Sequence, residues 1–364
     1  MTGLKNIREL HVVRGLASLL VLIFHSKWMM WCGGSMYKDQ EGLNSVVDYG
    51  LFSLDMMTSC GKQCVVTFFI LSAFVIAYSF DRNKYDLKTF YTHRSIRIYW
   101  PYIYSMFIGL GALYLAFYIH PEIFSHDIRE YNSRLTTSFG EQNLTTFLKT
   151  LVFVPNQEYF GFNTVYWSLL PEAIFYLLFP FYHKIPKKYL LLGALILMLI
   201  YPLKPMRTIY YQSFFLIGMY MYHHFKDSTR GPIFKSKWIY FAVILILLAA
   251  INGVLQVFQE LLYADIITVG LCFLAFDLLL RHDFKSWRIL HKLGDMSYAL
   301  YLNHMAIFLL LYAAYTLVSE QMVFCTRWTY YLSSAIAVIA CYPIYLLTEK
   351  PSITFLKKLK QRTK

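Results

Sequence analysis

Long apolar runs, separated by short segments rich in cations, recur along the whole chain. A helix rising 1.5 Å per residue needs about twenty apolar residues to cross a hydrocarbon core of about 30 Å. Runs at 7–31, 65–80, 101–119, 166–182, 189–201, 209–222, 238–251, 261–280, 297–318 and 328–347 therefore predict about ten transmembrane helices. None has the strict alternation of a half-buried strand, so the expected fold is all-α and polytopic. The run at 144–154 is too short to span and predicts a re-entrant or surface helix. That at 189–201 is close to the same limit, and is kept as a span because the distribution of charge requires it. Pro101 predicts the start of a helix, where its missing N–H costs nothing. Pro171 predicts a loosened backbone beside Glu172.

The polar positions inside these runs are the next signal, because an ionisable residue in a bilayer is costly unless it is paired or lines a wet cavity. The first run, IRELHVVRGLASLLVLIFHSKWMMW, carries Arg14 and His25, which at 100° per residue project within about 20° of each other and about 16 Å apart along the axis. His11 and Ser18 share that stripe. An interfacial histidine in water, or an arginine snorkelling to the surface, would also fit these positions. In the fourth run Ser168, Glu172 and Tyr176 stack at i, i+4 and i+8. Glu172 has the means to pair with Arg14, to orient an imidazole, or to hold the bundle together. Arg94 and Arg97, at i and i+3, suit a phosphate-bearing ligand through bidentate contacts, or simply anchor the inner surface. Ser297, Tyr301 and His304 repeat the pattern at i, i+4 and i+7.

Composition agrees with a membrane protein: 57% of residues are hydrophobic, 19% aromatic and 15% charged. The net charge of +13 has no aromatic interleaving or recognition module that would point to nucleic acid. With the amino terminus inside, most of the 34 lysines and arginines fall on the cytoplasmic side, which predicts an N-in, C-in protein with a membrane domain at 1–350 and a basic cytoplasmic tail at 351–364. The first run is too long for a cleaved signal peptide, and Trp28 and Trp31 fit interfacial anchors. The six cysteines show no metal-ligand spacing. Cys32, Cys60, Cys64 and Cys325 fall toward the outer side, where a disulfide can form.

Several of these residues sit in longer motifs: Arg14-Gly15-x-Ala17 followed by His25, FFILSAF at 68–74 containing Ser72, RSIRIYWP at 94–101, WSLLPEAIFYLLFP at 167–180, FFLIGM at 214–219, LGDMSYALYLNH at 293–304, and Glu349-Lys350-Pro351. In this order the chain resembles the acyltransferase-3 family of integral membrane acyltransferases, which modify sugars and other polar acceptors of bacterial envelopes. The resemblance implies about ten spans in the inner (cytoplasmic) membrane. It also implies a cytoplasmic acyl-CoA donor, acetyl-CoA being the expected one, and an acceptor hydroxyl on an envelope polysaccharide or lipid-linked sugar. It makes His25 the catalytic histidine, acting as general base or as a covalent acyl relay, Arg14 its companion, and Arg94 and Arg97 the paired arginines for the donor. Glu172 is expected to orient the histidine, and Ser72, Trp167, Ser168, Ser297, Tyr301 and His304 are expected to contact substrate or support the site; no metal is expected. The chain departs from the family pattern at His11 and Val66, where aspartate is usual, and at Ala73, where glycine is usual. Two other readings stay open: succinyl transfer to a periplasmic glucan, and an ion- or proton-coupled transporter using Arg14, His25, Glu172 and His304. The sequence shows no sign of the inverted repeats common in transporters.

Overall fold

The computed structural model describes residues 6–83, 86–125, 129–203, 206–228, 230–257, 261–282 and 287–362. Regular structure among them is helical: α1 (Leu10–Met30), α2 (Gly34–Gln40), α3 (Val46–Met57), α4 (Gly61–Asn83), α5 (Leu87–Ile119), α6 (Glu130–Gly140), α7 (Leu144–Leu151), α8 (Leu169–Tyr182), α9 (Lys187–Ile200), α10 (Arg207–Asp227), α11 (Lys237–Val257), α12 (Leu261–Arg281), α13 (Arg288–Asp295), α14 (Ser297–Ser319), α15 (Arg327–Leu347) and α16 (Glu349–Arg362). Short 3₁₀ turns precede α1, α6 and α8.

This is an all-α, multi-pass membrane protein. Among the described residues seven helices are long and apolar enough to cross a membrane: α4, α5, α8 with its preceding 3₁₀ turn, α11, α12, α14, and α15 continued by α16. Of the predicted spans, α1, α9 and α10 are not among the seven, and α9 has only 14 residues. Large apolar side chains cover the outward faces, including Ile103, Tyr104 and Phe107 on α5 and Trp238, Ile239 and Leu245 on α11. A soluble protein would pay for such continuous exposure, whereas lipid solvates it.

One helix start differs from expectation. Pro101 lies inside α5, which runs unbroken for 33 residues, so Arg94 and Arg97 are helical residues two turns and one turn ahead of it, respectively. A proline there leaves the carbonyl of Arg97 without its helical donor. The hydroxyl of Tyr298 donates to the adjoining Ile98 carbonyl at 3.4 Å. Pro171 behaves in the opposite way. As the third residue of α8 it forfeits no helical bond, and its carbonyl accepts from Gln212 Nε2 at 2.9 Å.

The chain divides into two compact units, one of residues 1–17, 59–91 and 171–295, the other of 18–58, 92–170 and 296–364. In the first, α10 packs on α4 and α9, and α12 on α11 and α4. The approach of α10 to α4 is so close that a Cβ on Gly218 would lie 2.2 Å from the Ile70 carbonyl oxygen and 2.9 Å from Cβ of Ala73. Phe175 and Phe215 stack with centroids 4.4 Å apart, and buried Asp265 is held by Gln63 and Tyr210. In the second unit α14 packs on α15, and α15 on α16. Here Gly161, at φ 77°, lies against α5, where a Cβ would fall 2.6 Å from the Met106 carbonyl oxygen. Cys32 and Cys325 come side by side as thiols, where the Cys32 N–H donates to the Phe324 carbonyl at 2.7 Å.

Candidate active site

His25 belongs to the second unit, and the C-terminal half of α1 is fixed there by polar bonds at its end. Arg129 donates to the carbonyls of Trp28 at 2.8 Å and Trp31 at 3.1 Å, satisfying acceptors that a helix terminus otherwise leaves open. Ser26 Oγ donates to the Tyr330 carbonyl at 3.0 Å and Thr329 Oγ1 to that of Met30 at 2.5 Å, which tie α1 to α15. With its backbone so placed, His25 presents Nδ1 to the Val21 carbonyl at 3.0 Å and to Nε2 of His304 at 3.1 Å.

These partners settle the tautomers. His304 is fully buried on α14 and its Nδ1 faces the Leu300 carbonyl at 2.8 Å, so Nδ1 carries the proton and Nε2 a lone pair. His25 Nδ1 faces two acceptors, that lone pair and the Val21 carbonyl, and therefore carries its own proton. The remaining nitrogen, Nε2 of the half-buried His25, holds a lone pair. A histidine whose other nitrogen is held by a fixed acceptor is the arrangement a general base requires. The rest of the α14 stripe lies beside this pair. Tyr301 lies 6.3 Å from His304 between centroids, and its hydroxyl donates to the Val165 carbonyl at 3.1 Å and bonds Ser168 Oγ at 2.7 Å. Ser297 is buried at the start of α14, and Trp167, beside Ser168, is half-buried.

The arginine pair lies in the same unit. Arg97 Nη2 meets Glu349 Oε1 at 2.7 Å, and the carboxylate is wholly buried. Its other oxygen accepts the Ala299 N–H at 2.9 Å, so Glu349 caps the start of α14, where Met296 offers no side-chain cap. The Glu349-Lys350-Pro351 motif is thus a structural clasp joining α5, α14 and α16. Arg97 Nη1 is buried and has no hydrogen-bond partner among the described residues. Arg94 lies one helical turn earlier on α5, half-buried. From Ala299 to His304 is five residues, about 7.5 Å along α14, so one helix carries both the clasp and the histidine pair.

Arg14, Ser72 and Glu172 lie in the first unit. Ser72 Oγ on α4 donates to Glu172 Oε1 at 3.2 Å, and the Tyr176 hydroxyl, one turn along α8, donates to the same oxygen. Glu172 also sits in the first turn of α8, where the helix dipole favours a negative charge. Arg14 is half-buried next to Gly15, and a Cβ on Gly15 would stand 2.7 Å from the Gly294 nitrogen of α13. The Arg-Gly pair is therefore partly a packing motif. Gly15→Ala is expected to cost about 1–3 kcal/mol, because rigid backbone faces the new methyl. A thermal melt of the detergent-solubilised variant checks this, and an unchanged midpoint would show that α13 yields.

Sequence reasoning groups His304 with His25 only in the transporter reading and otherwise places it in a supporting stripe, since nothing in the spacing links residues 279 positions apart. It also passed over Trp28, Tyr131, Arg134 and Glu158, which gather near His25. The sequence marks Trp28 only as an interfacial anchor. Its distance of three residues from His25, one helical turn, was the available signal.

Residues 7–346 match the acyltransferase domain family Acyl_transf_3. The chain is 22% identical over 344 residues to acyltransferase MdmB of Streptomyces mycarofaciens, covering 82% of this chain and 83% of that protein. No solved structure matches it. With the family match extending over nearly the whole chain, from the start of α1 to the end of α15, this protein belongs to the Acyl_transf_3 family of acyltransferases.

Proposed function

We propose that the protein is an acyl-CoA-dependent O-acyltransferase of the inner membrane, with the amino terminus inside, and that it moves an acetyl group to a hydroxyl of an envelope polysaccharide or lipid-linked sugar. The observation that carries this reading is the pairing of His25 Nδ1 with His304 Nε2, which leaves His25 Nε2 as a base on a partly open ring. In this reading Nε2 takes the proton of the acceptor hydroxyl as its oxygen attacks the thioester carbonyl. The carbon–sulfur bond then breaks and the sulfur leaves with that proton as the free thiol. Arg94 and Arg97 take the donor's phosphates, for which the partnerless Nη1 of Arg97 offers a ready N–H. Arg14 and Glu172 serve as supporting charges on α1 and α8.

The test is turnover by the purified protein in lipid nanodiscs supplied with acetyl-CoA, water taking the place of the acceptor hydroxyl and the acetyl group leaving as acetate. Time-dependent release of free thiol that disappears in His25→Ala is expected; no binding and no turnover of acetyl-CoA would defeat the reading and favour transport. The same assay reads His304. His304→Ala is expected to lower turnover about 10–100-fold with the donor KM little changed, as loss of a partner that orients a reacting imidazole does. His304→Gln, which can place an amide oxygen toward His25 Nδ1, should recover part of that loss. Equal rates for both variants and wild type would show that His304 only fills space.

A further inference from the structure

The outer end of α1 carries a second cluster that the reaction scheme does not use. Trp28 lies beyond His25, their rings 6.5 Å apart between centroids and nearly perpendicular. Tyr131 on α6 meets the indole edge-on at 5.3 Å, and the guanidinium carbon of Arg134 lies 5.9 Å from the centre of the Trp28 ring. Arg134 is itself held by Glu158, Nε to Oε1 at 2.5 Å and Nη2 to Oε2 at 2.8 Å, and a third of its side chain remains accessible. The Tyr131 hydroxyl is buried and has no hydrogen-bond partner among the described residues. A buried hydroxyl without a partner costs free energy that a ligand could recover.

The charges around this cluster are already committed. Arg129 is spent on the carbonyls ending α1, and Lys27 on the Asp55 carbonyl and on Thr58 Oγ1 at 2.6 Å. Arg134 and Glu158 cancel each other. What remains is an aromatic face, a phenol, and an ion pair that still has lone pairs on its carboxylate and N–H groups on its guanidinium. Hydroxyls on a ring can use both: they donate to the carboxylate and accept from the guanidinium, while the C–H face of the ring rests on the indole. A carboxylated ring would set a second negative charge beside Glu158, with no uncommitted cation at this cluster among the described residues to offset it.

We propose that Trp28, Tyr131, Arg134 and Glu158 form the acceptor subsite, and that it selects an uncharged, hydroxyl-bearing sugar ring whose hydroxyl is delivered to Nε2 of His25. This rests on the reading of His25 as the base. Arg134 and Glu158 come from the polar segment between α5 and α8, so the subsite and the histidine are supplied by different stretches of chain.

Two soluble amphiphilic probes test it: octyl glucoside, below its micellar concentration, and the corresponding octyl glucuronide, each with labelled acetyl-CoA and protein in nanodiscs. The wild-type protein is expected to acetylate the glucoside with a kcat/KM at least about tenfold above that for the glucuronide. Trp28→Ala should raise the KM for the glucoside about tenfold with the KM for acetyl-CoA unmoved. Glu158→Gln, nearly isosteric, releases the charge of Arg134 and should shift the preference toward the glucuronide by about tenfold. A purely structural ion pair would lower activity toward both probes without changing their ratio, and that result overturns the proposal. So does a wild-type preference for the glucuronide, or His25-dependent thiol release with neither probe acetylated, which spares the reading of His25. Absence of any thiol release overturns both.

Discussion

Glu349→Ala is expected to leave little folded protein. Removing one partner of a buried ion pair strands the other charge, at a cost of about 3–5 kcal/mol. Here it also strips the acceptor from the Ala299 N–H at the start of α14. That sum is a large fraction of the whole stability of a typical domain. Glu349→Gln keeps an amide oxygen for the Ala299 N–H and should cost less. Arg97→Met leaves a wholly buried carboxylate and should cost nearly as much as the alanine, whereas the double variant Arg97→Met/Glu349→Gln should melt above the sum of its single effects, because neither charge is left alone. Scanning fluorimetry of the solubilised variants measures this coupling. Additive losses would mean that Arg97 and Glu349 are merely neighbours.

The second large effect is on chemistry. His25→Ala should lower acyl transfer by about 10²–10⁴-fold, the range for loss of a general base, while the protein still folds. The half-buried ring contributes one hydrogen bond to α14 through His304, and the C-terminal end of α1 stays fixed by Arg129, Ser26 and Thr329. Wild-type-like melting with lost transfer is therefore the expected combination. The contrast with Glu349→Ala separates a residue that reacts from one that holds the frame.

Much of the frame was legible because hydrophobic runs of membrane length have one structural outcome in lipid, where backbone polar groups must be satisfied within the helix. The helices α4, α11, α12, α14 and α15 lie where their apolar runs place them. The start of α5 lies earlier than its proline predicts, because proline is a local signal and α5 runs through Pro101 at the loss of a single backbone bond. Arg97 was legible as a cation with a task, but its partner Glu349 lies 252 positions away and is a charge that only the tertiary fold buries. Likewise His25 stood out as an ionisable residue in an apolar helix, while its contact with His304 follows from the packing within the second unit. Glu172 was legible as an ionisable group inside an apolar run. The Ser72 and Tyr176 hydroxyls that hold its carboxylate could be foreseen only in part, through the i, i+4 spacing of Tyr176.

The central claim is that His25 moves an acyl group onto an envelope glycan, and the most direct measurement is mass spectrometry of envelope glycans from cells that carry wild-type protein, His25→Ala, or neither, with equal membrane levels of the two proteins verified. Acyl mass increments present only with wild-type protein are the predicted result. Glycans with the same increments in the His25→Ala cells would contradict the account.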